Sequence, residues 1–133
     1  MRASALPTKT TRMAWVTRSG ARAKLSADAP FIRMIDGAPV TFARVRADAL
    51  ALAYALELEG VRAGDCVVVM GGNCLWTLYA WFALNLLGAV DVTINTAYRG
   101  HSLEHAINTA DARLILIEDR LLSTLSDTEG AVP

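Results

Sequence analysis

One short segment constrains the fold of this chain more than any other. Cys66–Met70 is a run of five apolar residues, three of which are valines. β-Branched side chains favour an extended backbone, and a run without polar alternation is typical of a strand buried on both faces of a parallel sheet. The segment therefore predicts the interior strand of a sheet that has helices on both sides.

Two later segments repeat this apolar pattern, and helical patterns lie between them. The predicted strands are 66–70, 89–94 and 113–117, and the predicted helices are 75–87 and 102–109. Alternation of strand and helix indicates parallel βαβ units with right-handed crossovers. The expected fold class is therefore α/β, a three-layer βαβαβ arrangement around a parallel sheet.

The regions on either side of this core have their own local signals. Before the core, they predict a strand over 31–35, a turn at Asp36-Gly37 and extended backbone at Val40. A helix over 42–58 follows, with Thr41 as N-cap and Gly60 just beyond its end. Later in the chain, they predict a loop over 95–100 and a further helix over 120–126. Thr is a preferred N-cap, and glycine is common just after a helix.

The amino-terminal region is basic, whereas the rest of the chain is acidic. Six basic residues and no acid fall within the first 27 residues; the other seven basic residues and all 13 acids follow, which gives that part a net charge of −6. We interpret 1–13 as a loose leader followed by a surface helix over 14–26; a transit peptide is the alternative. The acidic remainder argues against nucleic-acid binding, which needs a basic face.

An apolar stretch over 75–90 raises the possibility of a membrane helix. A spanning helix needs about 20 apolar residues, whereas this run is shorter, contains Asn85, is interrupted by Gly88 and is followed by Asp91. A helix buried against a sheet fits better. The sequence therefore predicts no transmembrane segment, and a membrane-associated protein built around this stretch is one of the alternatives.

The turn Gly71-Gly72-Asn73 lies between a strand and a helix, where backbone amides and the helix dipole can hold a phosphate. The sequence has neither the GxGxxG pattern of dinucleotide-binding proteins nor the Gly-Lys-Ser/Thr ending of a P-loop. We therefore interpret the segment as a turn in which Asn73 caps the following helix.

Other polar residues suggest chemistry only weakly. His101 and His105 are four residues apart with Glu104 between them, which resembles a metal pair, but no third ligand is evident and surface roles are expected. Asp65, Asp91, Asp111 and Glu118 are predicted at strand ends, where doubly wound folds bind ligands. Cys66 and Cys74 lack zinc spacing and are expected to be reduced thiols with packing roles. No catalytic, cofactor-binding or metal-binding residue is assigned.

Several motifs appear together, in a fixed order, between Phe31 and Asp119. These are Thr41-Phe42 opening a helix, Gly60-Val61-Arg62-Ala63-Gly64-Asp65 before an apolar strand, Asn73 before an aromatic-rich helix, Leu87-Gly88-Ala89-Val90, and Asn95-Thr96-Ala97-Tyr98-Arg99-Gly100 with Leu103 and His105 following. In this order they resemble the first subdomain of the adenylate-forming enzymes. The last motif is most similar to ligases of fatty and carnitine-type acids.

The resemblance implies that 14–133 is the N-terminal portion of an AMP-binding acyl-CoA synthetase domain, an incomplete subdomain of that fold. The complete enzyme would use ATP, Mg²⁺ and coenzyme A to turn a carboxylic acid into acyl-CoA, AMP and pyrophosphate, in the cytoplasm. The phosphate loop and the catalytic lysine of the family have no counterpart here, so we expect this chain to need the remainder of the ligase domain and to be inactive alone. The resemblance allows Arg99 a place near a coenzyme A phosphate, but a surface role at the helix start is expected. A standalone α/β binding module without catalysis is the alternative function.

Overall fold

The computed structural model describes residues 26–35 and 37–128. The predicted leader over 1–13, nearly all of the helix predicted over 14–26, and Asp36 of the predicted turn lie outside the described residues. The elements in chain order are β1 (Pro30–Ile32), β2 (Val40–Thr41), α1 (Phe42–Leu58), β3 (Cys66–Met70), α2 (Leu75–Leu87), β4 (Val90–Thr93), α3 (Gly100–Ala110), β5 (Leu114–Ile117) and a 3₁₀ helix (Asp119–Asp127).

The main sheet has three parallel strands in the order β4-β3-β5. Val67 of the central strand is paired with Asp91 on one side and with Leu114 on the other. Val67, Val68 and Met70 are completely buried, as the uninterrupted apolar run predicts. The predicted three-layer βαβαβ fold is confirmed.

Each face of the sheet is covered by its own helices. On one face, Val67 and Val69 pack with residues of α1 and α2, namely Ala53, Leu56, Ala80, Ala83 and Leu84. On the other face, Met70 packs with Leu103 and Ile107 of α3 and with Leu121 of the 3₁₀ helix. Successive residues of β3 point to opposite faces, so one apolar strand supplies both cores.

The predicted ends of α1 are confirmed. The Thr41 hydroxyl oxygen accepts a hydrogen bond from the Arg44 amide at 3.2 Å, which satisfies one of the free amides of the first turn. Gly60 follows the helix with a φ of +87°, a backbone conformation that residues with a Cβ rarely adopt. These two residues fix the length of a helix that packs along α2.

Several predicted elements differ from the structure in extent or type, including β4, which covers Val90–Thr93 rather than 89–94, and β5, which covers Leu114–Ile117 rather than 113–117. The first strand covers Pro30–Ile32 rather than 31–35, because its partner β2 has only two residues. The third predicted helix begins at Gly100 rather than at residue 102. The final segment is a 3₁₀ helix in which the Thr124 hydroxyl donates to the Leu121 carbonyl, and the hydroxyl of Thr128, just beyond its end, donates to the Leu125 carbonyl.

The short antiparallel hairpin of β1 and β2 is held against the helices by aromatic rings. Phe31 stacks on Phe42 with ring centroids 4.2 Å apart and lies 6.1 Å from the ring of Phe82 in α2. Phe82 thus joins α2 to the hairpin. Within the described residues, no helix has both the length and the apolar character needed to cross a bilayer.

Candidate functional site at the carboxyl ends of the strands

The carboxyl ends of β3 and β5 are joined by a carboxylate. The Gly72 amide, in the turn after β3, donates to the Oε2 atom of Glu118 at 3.0 Å. Arg120 donates to both oxygens of the same carboxylate, at 2.6 and 3.0 Å. The hydrogen bonds from Arg120, and then the one from Gly72, favour the ionised form and lower the pKa of Glu118.

This arrangement bears on the phosphate hypothesis for Gly71-Gly72-Asn73. The Gly72 amide is already satisfied by an internal anion, so a phosphate placed there would meet the negative charge of Glu118. The described part of the chain also contains no lysine, since Lys9 and Lys24 are the two in the sequence. The geometry of this turn therefore favours a structural role over nucleotide binding.

The structure shows that the prediction of Asn73 as the helix cap is wrong. Helix α2 is capped by Cys74, whose backbone is extended and whose amide donates to the Thr77 hydroxyl at 3.4 Å. The Thr77 hydroxyl in turn donates to the carbonyls of Gly72, at 3.0 Å, and Cys74, at 2.7 Å. Thr77 thus takes the part that Glu or Gln plays in a capping box, although neither Cys74 nor Thr77 is the residue type of that motif.

Gly71 is required by close packing rather than by an unusual backbone angle. A Cβ atom at this position would overlap the Trp76 ring and would lie 2.8 Å from the Thr77 Cγ2 atom. The turn after β3 and the first turn of α2 are therefore in direct contact. This leaves no room at Gly71 for a side chain.

An open groove of about 760 Å³ lies beside the carboxyl end of β4, between that strand and α3. Its polar lining residues are Thr93, Asn95, Tyr98, His101, Ser102, His105 and Thr109. The two histidine rings are 6.4 Å apart, and His101 Nδ1 lies 3.9 Å from Glu104 Oε2. Among the described residues, no group of three His, Cys, Asp or Glu side chains is placed to hold a metal ion.

Arg99 is engaged with the loop that precedes α3. Its Nη1 atom donates to the carbonyl of Thr96 at 2.8 Å and to that of Tyr98 at 2.6 Å. The side chain therefore braces the chain at the start of the helix, which is the surface role expected from the sequence.

The four acids predicted at strand ends are not brought together. Asp65 precedes β3 and lies 3.6 Å from Arg113. Asp111 precedes β5 in the left-handed backbone region, with a φ of +46°, and Asp91 lies within β4. Of the four, only Glu118 follows the carboxyl end of a strand, and it is engaged with Arg120. The described acids therefore do not form the shared ligand site that strand ends can provide.

Residues 20–132 match the family model described as AMP-binding enzyme. The chain belongs to the AMP-binding enzyme family. It is 34% identical over 85 residues to the long-chain-fatty-acid–CoA ligase of Bacillus subtilis, an alignment that covers 64% of this chain and 15% of the ligase. It is 30% identical over 105 residues to the 2-succinylbenzoate–CoA ligase of Oceanobacillus iheyensis, which covers 79% of this chain and 21% of that protein.

Solved structures show the same fold. The crystal structure of the anthranilate–CoA ligase AuaEII, in complex with anthranoyl-AMP, superposes with a TM-score of 0.80 over 89% of this chain and 23% of AuaEII, at 24% identity. The unliganded O-succinylbenzoate–CoA synthetase of Bacillus subtilis gives 0.76 at 25% identity, over 86% of this chain and 24% of that structure. This AMP-binding family chain thus spans 15% of the length of the first of these curated relatives and 21% of the second.

Proposed function

We propose that this chain forms the first part of an ATP-dependent acid–CoA ligase domain. The complete domain would convert a carboxylic acid, ATP and coenzyme A into acyl-CoA, AMP and pyrophosphate. The observation that carries the proposal is the family match over residues 20–132, together with relatives whose names describe acid–CoA ligases. The role of this part is structural: an α/β unit, with a three-stranded sheet, against which the remaining ligase segments pack.

The proposal includes the expectation that the 133-residue chain does not activate an acid by itself. The described residues supply no lysine, and no described cluster of three acids or histidines is placed for Mg²⁺. Stabilising phosphate charge during adenylate formation needs cationic groups or a metal. ATP, Mg²⁺ and coenzyme A would therefore bind mainly to other segments of the ligase. We also expect the complete ligase to be a cytoplasmic enzyme.

A direct assay measures exchange of labelled pyrophosphate into ATP by the purified chain. The acids to offer are a long-chain fatty acid, 2-succinylbenzoate, 4-coumarate and anthranilate, which are the acids named for its relatives and structural neighbours. We expect no exchange with any of them. Exchange by a homogeneous preparation would show that this chain carries its own adenylation site.

A chimera tests the structural role. Residues 26–128 replace the matching segment of the Bacillus subtilis long-chain-fatty-acid–CoA ligase, and formation of the CoA thioester is measured. We expect the chimera to retain ATP-dependent activity, and the same chimera with Gly71→Ala to lose most of it because the turn no longer packs against Trp76 and Thr77. A soluble, folded chimera without activity would instead favour the alternative of a separate α/β binding module.

A further inference from the structure

Helix α1 carries an apolar stripe on its solvent-facing side, which we call the α1 stripe. It consists of Ala47, Leu50, Ala51, Tyr54 and Leu58, all of which are exposed. The exposed fractions are 39% for Leu50, 64% for Tyr54 and 69% for Leu58. These large side chains thus lie in water on a helix whose opposite side is fully packed.

The spacing places all five residues on one face. Positions separated by three, four, seven and eleven residues share a side of an α-helix. The inner face is formed by a separate set of buried residues, Val45, Ala49, Ala53 and Leu56. Helix α1 is therefore apolar on two opposite sides, and only the inner side is used by the described fold.

Two charged residues lie on one flank of the α1 stripe, near its two ends. At 100° per residue, Arg46 and Glu57 both fall about 60–80° to the same side of Tyr54. Neither side chain has an ion-pair partner among the described residues, and neither has an opposite charge three or four positions away on the helix. Arg44 and Asp48, on the other flank, are already paired at 2.7 Å.

We propose that the α1 stripe binds the α1 stripe of a second copy of this chain, in an antiparallel helix pair with two-fold symmetry. Such symmetry brings the same flank of both helices together and matches the amino-terminal end of one with the carboxyl-terminal end of the other. Arg46 of each copy then faces Glu57 of the other, which gives two ion pairs across the interface.

The apolar residues are complementary in the same register. The centre of the pairing falls between Ala51 and Leu52, so the small Ala51 side chains lie near the axis and let the helices approach closely. Leu50 then packs against Tyr54 of the second copy, and Ala47 against its Leu58. The small alanine side chains thus leave room for the large side chains of the other helix, as the packing of ridges into grooves requires.

The size of the stripe sets the strength of the association. Twelve helical residues span about 18 Å, which is short for an interface, since standard stable interfaces bury about 1,600 Å². The helix pair therefore forms a weak dimer, with a dissociation constant between about 10 µM and 1 mM. The proposal does not depend on the ligase function.

Sedimentation equilibrium of the 133-residue chain, measured up to about 1 mM, tests this pairing through charge reversal. Arg46→Glu and Glu57→Arg each place like charges in both pairs and are expected to weaken the dimer at least about fivefold. The double variant Arg46→Glu/Glu57→Arg restores opposite charges and is expected to regain the wild-type constant. Arg33→Glu makes the same charge change at an exposed residue outside α1 and is the control.

A second pair of variants tests the apolar contacts. Tyr54→Gln and Leu58→Gln remove exposed apolar side chains and keep good helix formers, so the melting temperature of the monomer should change little. Both are expected to abolish dimerisation within the accessible concentration range. Far-ultraviolet circular dichroism confirms that each variant is folded.

Each of four results would overturn the proposal. A wild-type chain that remains monomeric up to about 1 mM has no such dimer. Association that the glutamine variants leave unchanged, or that the double charge variant fails to restore, uses another surface. A monomeric chain whose Tyr54 becomes protected from iodination only within a longer ligase polypeptide would assign the stripe to the rest of that domain.

Discussion

The Gly72 amide nitrogen lies 3.0 Å from the Oε2 atom of Glu118, although the two residues are 46 positions apart in the chain. This hydrogen bond ties the turn after the central strand β3 to the residue that follows β5. Both ends lie at the carboxyl edge of the sheet, and Arg120 holds the same carboxylate from the other side. At the edge where parallel sheets commonly bind ligands, internal contacts thus join the ends of β3 and β5, whereas the groove beside the end of β4 remains open.

The first prediction concerns the charge of Glu118. Its pKa is lowered from an ordinary value of 4.5 by the hydrogen bonds from Arg120 and Gly72. A carboxyl group with a lowered pKa in the folded state stabilises the fold above its unfolded pKa, and this contribution is lost as the pH falls through the folded pKa. Glu118→Gln is therefore expected to lower the melting temperature at pH 7 and to have progressively less effect below about pH 4.

The control is Glu59→Gln, which removes the same charge from an exposed residue that has no ion pair in the described part of the chain. Thermal melts of both variants and the wild type, recorded from pH 2.5 to 8, provide the comparison. An effect of Glu118→Gln that is equally large at low pH would mean that shape, rather than charge, accounts for its role.

The second prediction concerns the space at Gly71. Gly71→Ala places a methyl group into the Trp76 ring and 2.8 Å from Thr77, and overpacking of this kind costs roughly 1–3 kcal/mol. Gly37→Ala is the matched control, because its new methyl group would lie 3.4 Å from the nearest atom, the Cβ of Met34. In urea unfolding, the midpoint concentration should fall for Gly71→Ala and stay close to the wild-type value for Gly37→Ala. A change of less than about 0.5 kcal/mol at Gly71 would contradict the close approach.

The parts of the fold that depend on local patterns could be predicted from the sequence. The apolar run of β3 predicts a buried central strand, and Thr41 and Gly60 predict the ends of α1, because capping and burial depend on residues close in the chain. The structure agrees with each of these predictions.

The details of the candidate site could not be predicted in the same way. The bond between Gly72 and Glu118 joins separate βα connections, and no periodic pattern encodes which acid reaches which amide. Asn73 is a better cap by residue type than Cys74, but the Thr77 hydroxyl bonds the Cys74 amide and fixes the helix start one residue later. A long-range hydrogen bond in the first case and a local side-chain bond in the second thus decided what residue preference alone left open.

The third prediction compares two leucines on the side of the sheet covered by α3. Leu103 is completely buried against Met70 and Ile107, whereas Leu122 in the neighbouring 3₁₀ helix is 49% exposed. Leu103→Ala is expected to lower the free energy of unfolding by about 2–5 kcal/mol, because it removes buried surface and leaves a cavity. Leu122→Ala removes the same atoms and should cost less than about 1 kcal/mol. Equal losses in urea unfolding would contradict the described packing of α3.

The last prediction concerns Asp91, which lies within β4 opposite Val67. Partial burial raises the pKa of Asp91 above its ordinary value of 3.8, and the hydrogen bond that its Oδ1 atom accepts from the Thr93 hydroxyl, at 3.1 Å, opposes this only in part. The folded state therefore holds this proton more tightly than the unfolded state does. By linkage, stability is lost as the pH rises from the unfolded pKa through the folded pKa.

Asp91→Asn removes the charge and retains an oxygen that can accept from Thr93. The variant is expected to melt at a higher temperature than the wild type at pH 7, and the difference should disappear near pH 3, where the wild-type carboxyl is protonated. This dependence on pH is opposite in sign to that of Glu118→Gln, so the two variants control for each other in one series of melts. A lower melting temperature for Asp91→Asn at pH 7 would mean that the carboxylate is stabilised by a partner, and that its burial is not the dominant effect.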